Sequence, residues 1–156
     1  MTLNQFFKKY IGKKVDFDNA YGAQCVDLIK FYYRDVFGIK AHLGHAWSYQ
    51  YGYDPKKFRW IKNTIKAVPR AGDVVVWDKR FGTYGHVAIA TGAGTWLWFN
   101  SVEQNYPAGS PVHVRRHNYF GVSGWLRPLA FEKKVNVAQS KKAVVKKCPT
   151  CGQVIK

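Results

Sequence analysis

Acid is the scarcest commodity in this chain. Nine Asp and Glu face 25 Lys and Arg in 156 residues, for a net charge of +16. That imbalance excludes a self-repelling acidic protein and favours polyanionic partners: nucleic acid, an anionic membrane or an anionic bacterial wall. Cysteine is scarcer still. The three, Cys25, Cys148 and Cys151, are odd in number and too few for a disulfide framework, so a packed core must hold the fold. Long apolar runs are missing too, and no window approaches the about 20 residues that span a bilayer. The N-terminus, MTLNQFFKKYIGKK, has neither a long apolar stretch nor a small-residue cleavage site. No signal peptide is therefore expected, and the chain is expected to fold in a reducing cytosol. Internal repeats are absent.

Apolar and aromatic residues are plentiful, at 47% and 17%. That is ample for a core and sets disorder aside. The length suits one domain with a tail. In TLNQFFKKYIGKK, apolar residues at Leu3, Phe6, Phe7, Tyr10 and Ile11 recur at helical spacing, and Gly12 is a stop. In CVDLIKFYYRDVFG, Cys25, Leu28, Ile29, Tyr32 and Val36 form one stripe, with Gly38 suited to a left-handed C-cap. The segment 40–58 is aromatic and irregular. Beyond it, GDVVVW, GHVAIATG, TWLWFNSVEQN, PVHVRR and GWLRPL are β-branched or aromatic and bounded by turn residues. Helices followed by about five antiparallel strands predict an α+β fold, with N-terminal helices packed on the sheet.

Three features carry possible chemistry. Cys25 opens the second helix, where free N–H groups and the helix dipole favour a thiolate. A small buried hydrophobe is the alternative reading of a cysteine on an apolar face. His86 opens a strand after the Gly-rich RFGTYG, and Gly85 is expected to leave room beside its ring. Glu103 is the lone acid between Asp78 and Glu132, and alternation places it on the same face as Asn105. A carboxylate or amide bonded to the second ring nitrogen fixes a histidine tautomer. A strand-end turn is the alternative use of Asn105, Pro107 and Gly109.

In combination, AYGAQCVDL, GDVVVWDKRFGTYGHVAIATG and SVEQN resemble the CHAP domain, the cysteine, histidine-dependent amidohydrolase/peptidase of phage endolysins and bacterial autolysins. The likeness spans roughly residues 10–128. It implies a papain-like fold and cleavage of an amide bond in bacterial peptidoglycan, either the sugar–peptide amide or a bond of the stem or cross-bridge. It implies Cys25 as nucleophile, His86 as base and then acid, Glu103 as orienter and Asn105 as a supporting member. Gln24 is a candidate oxyanion-hole donor with the Cys25 N–H. The likeness to endolysins also implies an enzyme that waits in the host cytoplasm and acts on the wall after release.

The first loop holds a second pattern. Asp16, Asp18, Ala20, Gly22 and Asp27 fall at positions 1, 3, 5, 7 and 12 of an EF-hand-like loop, which suits Ca²⁺. Tyr21 stands where an EF-hand has Gly, and Asp27 where it has Glu. Some phage CHAP domains that this loop resembles bind calcium there. The alternative is a solvated acidic turn, with Asp27 favouring the helix start.

Residues 1–130 are read as the catalytic domain and 131–156 as a Lys-rich linker and a CPTCG knuckle. Cys148 and Cys151 make a zinc half-site, which His113 and His117 or the cysteines of a second chain would complete; a redox disulfide between the two is the alternative. Anionic wall polymers suit the positive charge. A non-catalytic basic module binding wall polymer or nucleic acid is the competing reading. Against nucleic acid, the aromatics sit in core-like strands, with Trp77 and Trp98 expected in the core. Trp47, Tyr49, Tyr51 and Tyr53 are expected to line a substrate groove.

Overall fold

The computed structural model describes residues 1–132, so the CPTCG knuckle lies outside the described residues. Helix α1 spans Leu3–Tyr10 and helix α2 spans Cys25–Tyr32. A single π-helical turn, Tyr33–Phe37, and a 3₁₀ helix, Ala46–Gln50, follow. The strands are β1 (Phe58–Lys62), β2 (Val74–Trp77), β3 (His86–Gly94), β4 (Phe99–Glu103), β5 (His113–His117) and β6 (Val122–Pro128). They form one antiparallel sheet in the order β1-β6-β2-β3-β4-β5. The α+β expectation holds, with six strands in place of about five.

Thr2 starts α1 through a capping box: its hydroxyl accepts from the Gln5 N–H, and the Gln5 side chain accepts from the Thr2 N–H. The helix buries Phe6 and Tyr10. Helix α2 buries Leu28, Ile29 and Tyr32, the predicted stripe. Burying each such aliphatic side chain stabilises the fold by about 1.5–3 kcal/mol. The stripe does not continue as α-helix to Val36. The wider π turn brings Tyr33 onto Phe58 at 4.7 Å and Phe37 onto the same ring at 5.5 Å. Gly38 then ends it at φ 66°, donating to the Arg34 carbonyl.

The central strand VVVW is buried along its whole length. Val74 and Val76 face α1 and α2 with Val87, Ile89, Val102 and Leu126. Val75 and Trp77 face the other way, with Ala88, Ala90, Phe99 and Trp125. Both faces are covered, which explains why alternation is lost in this strand.

Three sequence readings need correction. FRWIK (58–62) is edge strand β1, paired with β6, where the sequence reading ended its irregular segment at Phe58 and assigned no strand. Residues Thr95–Trp98 close the β3–β4 hairpin and are not strand. Trp98 is only half-buried, with the Arg116 guanidinium 4.1 Å above its ring, so it does not fill the core as Trp77 does.

Candidate active site

Cys25 is the first residue of α2 and is half-buried against the helix-side core. The helix start is set by Asp27, whose carboxylate accepts from the Gln24 N–H at 2.8 Å. The first-turn N–H groups of Cys25 and Val26 have no intrahelical carbonyl to bond, as at every helix start.

His86 is the first residue of β3, opposite Trp77 of β2. It therefore belongs to the face away from the helices and meets Cys25 at the end of the sheet. Gly85 turns the chain into this strand at φ 67°. A side chain there would strike the Trp77 carbonyl and the Trp47 backbone, so the glycine admits the 3₁₀ segment against β3. The His86 ring packs among Trp77, Phe81 and Tyr106 with centroids 5.2–5.6 Å away.

Glu103 ends β4 with no exposed surface. Its Oε2 accepts from His86 Nε2 at 3.0 Å and from His117 Nε2 at 2.7 Å. With Nε2 committed to Glu103, Nδ1 is the ring nitrogen left to serve Cys25, which lies close enough to raise the His86 pKa. Burial alone lowers the His86 pKa, but the bonds to Cys25 and Glu103 outweigh it and raise the pKa to about 9. Burial likewise works against the Glu103 carboxylate. The donors on His117 and His86 overcome it and hold the pKa at about 2. The site thus favours a charged imidazolium between the sulfur and the carboxylate.

Asn105 makes its side-chain hydrogen bonds away from His86. It sits in a turn at φ 63°, donates to Gln24 Oε1 at 2.9 Å and accepts from the Gly109 N–H. The Gln24 amide N–H is committed to the Tyr21 carbonyl at 2.7 Å. These two residues therefore tie β4 to the loop before the cysteine.

Two residues escaped the sequence reading. Gln104 is fully buried and clamps both ends of the acidic loop: its side chain accepts from the Val15 N–H and donates to the Val15 and Gln24 carbonyls, each at 2.8 Å. Nothing in its sequence position marks it, since alternation points it away from Glu103. His117 was weighed only as a zinc ligand. Period-2 alternation in HVRRH already puts His113, Arg115 and His117 on one face, and pairing Glu103 with His113 turns that face to the acid.

The acidic loop also forms as a unit. One carboxylate oxygen from each of Asp16, Asp18 and Asp27 lies within 4.8 Å of the others. Tyr21, the misfit at the EF-hand Gly position, is 96% exposed and adopts φ 65°, the left-handed conformation a glycine would take. Lys30 Nζ donates to Asp18 at 2.5 Å and to Asp27 at 3.1 Å. Asp16 Oδ1 is buried with no hydrogen-bond partner. Hard oxygens with one unsatisfied member fit a hard cation, and the ammonium takes part of that role.

Of the four loop aromatics, Tyr49 is 1% exposed and belongs to the core. Trp47 is half-buried beneath Lys79, 4.7 Å from its ring, and Tyr51 is exposed.

The family described as CHAP domain matches residues 14–105, a span that contains Cys25, His86 and Glu103. The chain belongs to the CHAP domain family. Endolysin PlyTW of Staphylococcus phage Twort is 33% identical over 90% of this chain, which corresponds to 33% of that protein. The crystal structure of a wild type endolysin, LysIME-EF1, superposes with a TM-score of 0.71 at 34% identity, covering 82% of this chain and 64% of that one. Ly7917, solved with the hydrolyzing product of MDP, gives 0.62 at 16% identity over 81% and 63% of the two chains, a likeness of fold alone. This CHAP domain thus spans a third of PlyTW's length and under two thirds of the two solved chains. No helix among the described residues is long and apolar enough to cross a membrane.

Proposed function

We propose that this CHAP domain hydrolyses an amide bond of bacterial peptidoglycan, as an endolysin does, with Cys25 as nucleophile. The observation that carries the reading is the series Cys25, His86 and Glu103: a half-buried thiol at a helix start, beside a buried imidazole that is bonded to a buried carboxylate. A module that only bound wall polymer or nucleic acid would have no use for it.

The Cys25 sulfur adds to the amide carbonyl carbon, and the carbonyl oxygen becomes an oxyanion beside the first-turn N–H groups of α2. The His86 imidazolium gives its Nδ1 proton to the leaving amine as the C–N bond breaks. A thioester remains. The neutral imidazole then takes a proton from water, the hydroxyl adds to the thioester carbon, and collapse releases a carboxylic acid and the Cys25 thiolate, with His86 again an imidazolium. Glu103 stays ionised and holds the ring in one tautomer throughout. Asn105 supports Gln24, and Gln24 holds the loop that leads into Cys25. In this role Gln24 shapes the oxyanion site through the backbone, since its own amide is engaged with Tyr21.

Asp16, Asp18 and Asp27, with the Ala20 and Gly22 carbonyls, would hold Ca²⁺. The ion would supply positive charge that fixes the loop against the start of α2. The +16 charge of the whole chain draws it to anionic wall polymers.

Cys25→Ser tests the reading. The expected result is loss of zymogram clearing with retained binding to purified walls, and undiminished clearing would overturn it. Masses of muropeptides released by the native protein then assign the bond, N-acetylmuramoyl-L-alanine amide or a peptide bond.

A further inference from the structure

Glu103 is offered more partners than it uses. Its Oε2 is shared by His86 and His117, while its Oε1 is buried without a hydrogen bond. On the Oε1 side stand His113 Nε2 and Arg115 Nε, each 3.7 Å away. The guanidinium is charged at every working pH and is a stronger attractor for a carboxylate than a histidine. A small rotation of Glu103 would exchange its bond with His86 for one with Arg115. Arg115 is held back over the Tyr106 ring, 4.5 Å from its centroid. His117 is fixed more firmly, packed between Trp77 at 4.9 Å and Phe99 at 5.8 Å.

We propose that His117 is a positioning residue for the reaction: its Nε2–H pins Glu103 Oε2 toward His86 against the outward pull of Arg115 and His113. The inference rests on Cys25 and His86 being the catalytic pair. The charged or titratable groups around the carboxylate are His86 from β3 and His113, Arg115 and His117 from β5, with Tyr106 beside them and Cys25 beyond His86. Since an ionised carboxylate only accepts, His117 must carry its proton on Nε2. Without His117 the carboxylate turns outward, the imidazolium of His86 loses its counter-charge, and its proton leaves at lower pH.

The test measures clearing of purified sacculi as a function of substrate and pH. His117→Phe keeps the aromatic packing and removes the donor. It is expected to lower kcat about tenfold to a hundredfold, the cost of losing the partner that orients a functional imidazole, with KM unchanged. The alkaline limb of activity should move to lower pH. His117→Gln, which restores an N–H, should recover most of kcat. Adding Arg115→Met to His117→Phe should recover part of it and return the alkaline limb upward. Native kcat and an unmoved alkaline limb in His117→Phe would overturn the proposal. So would a loss that neither Gln nor the Arg115 change repairs, since that marks a purely structural role. Should His117→Phe not fold, ¹⁵N shifts of the native protein decide: Nε2-protonated His117 supports the proposal, and an Nδ1-protonated ring overturns it. Full clearing by Cys25→Ser would remove the parent reading. An inactive Cys25→Ser with native kinetics in His117→Phe would remove this one alone.

Discussion

One buried carboxylate, Glu103, and a cluster of three, Asp16, Asp18 and Asp27, are built differently. Glu103 is dry, with three imidazoles and a guanidinium around it. Asp16, Asp18 and Asp27 form a loop that reaches the surface and are matched by one lysine. In the first, low polarity makes each contact strong, so charge serves chemistry. In the second, water reaches Asp18 and screens its pairing with Lys30, and three acids serve to shape a loop and start a helix. Gln104 joins the two by holding Val15 and Gln24 from the residue next to Glu103.

The sharpest way to break this contrast is to neutralise one acid of each kind. Glu103→Gln is expected to cost about 10³- to 10⁴-fold in kcat, as loss of the orienting carboxylate does in serine-protease triads. Asp27→Asn loses the charge paired with Lys30 and weakens the cap on Gln24. It should lower stability by about 1 kcal/mol, read by thermal melting, with a far smaller loss of rate. A comparable loss of rate from both changes would end the distinction.

The pH dependence of stability sharpens the contrast further. Glu103 is lowered from 4.5 to about 2, so its contribution is complete above the unfolded value and lost as pH falls toward 2. His86 is raised from 6.5 to about 9, so its contribution is complete below 6.5 and lost as pH rises through 9. The melting-temperature difference between native protein and Glu103→Gln should therefore shrink on the acid side of that window. A constant difference from pH 2 to 6 would contradict it.

The loop makes a third, smaller prediction. Chelation with EDTA should lower the melting temperature and added Ca²⁺ should restore it, and no response would remove calcium from the account. The smallest effect is expected from Tyr21→Gly. Relief of left-handed strain, about 1–2 kcal/mol, is largely offset by the greater freedom of glycine in the unfolded chain, so melting should shift upward only slightly.

The two regions were also unequally legible in the sequence. The acidic loop could be read whole, because its acids lie within 12 residues and their spacing is their geometry. Cys25, His86 and Glu103 could be named as candidates, since helix start, strand start and isolated acid are local signals. What surrounds Glu103 was hidden. His117 meets it only because β5 pairs with β4 in a register that a turn of uncertain length does not disclose. Strand β1 was missed for a related reason: FRWIK has a weak alternation, and its pairing partner lies at the far end of the domain.

The most direct test of the central claim is the titration of the His86 imidazole, followed by NMR in the native protein and in Cys25→Ser. The account predicts a pKa near 9 in the native protein and a clear fall when the sulfur is replaced. An identical titration in both would show that Cys25 and His86 are not a working pair.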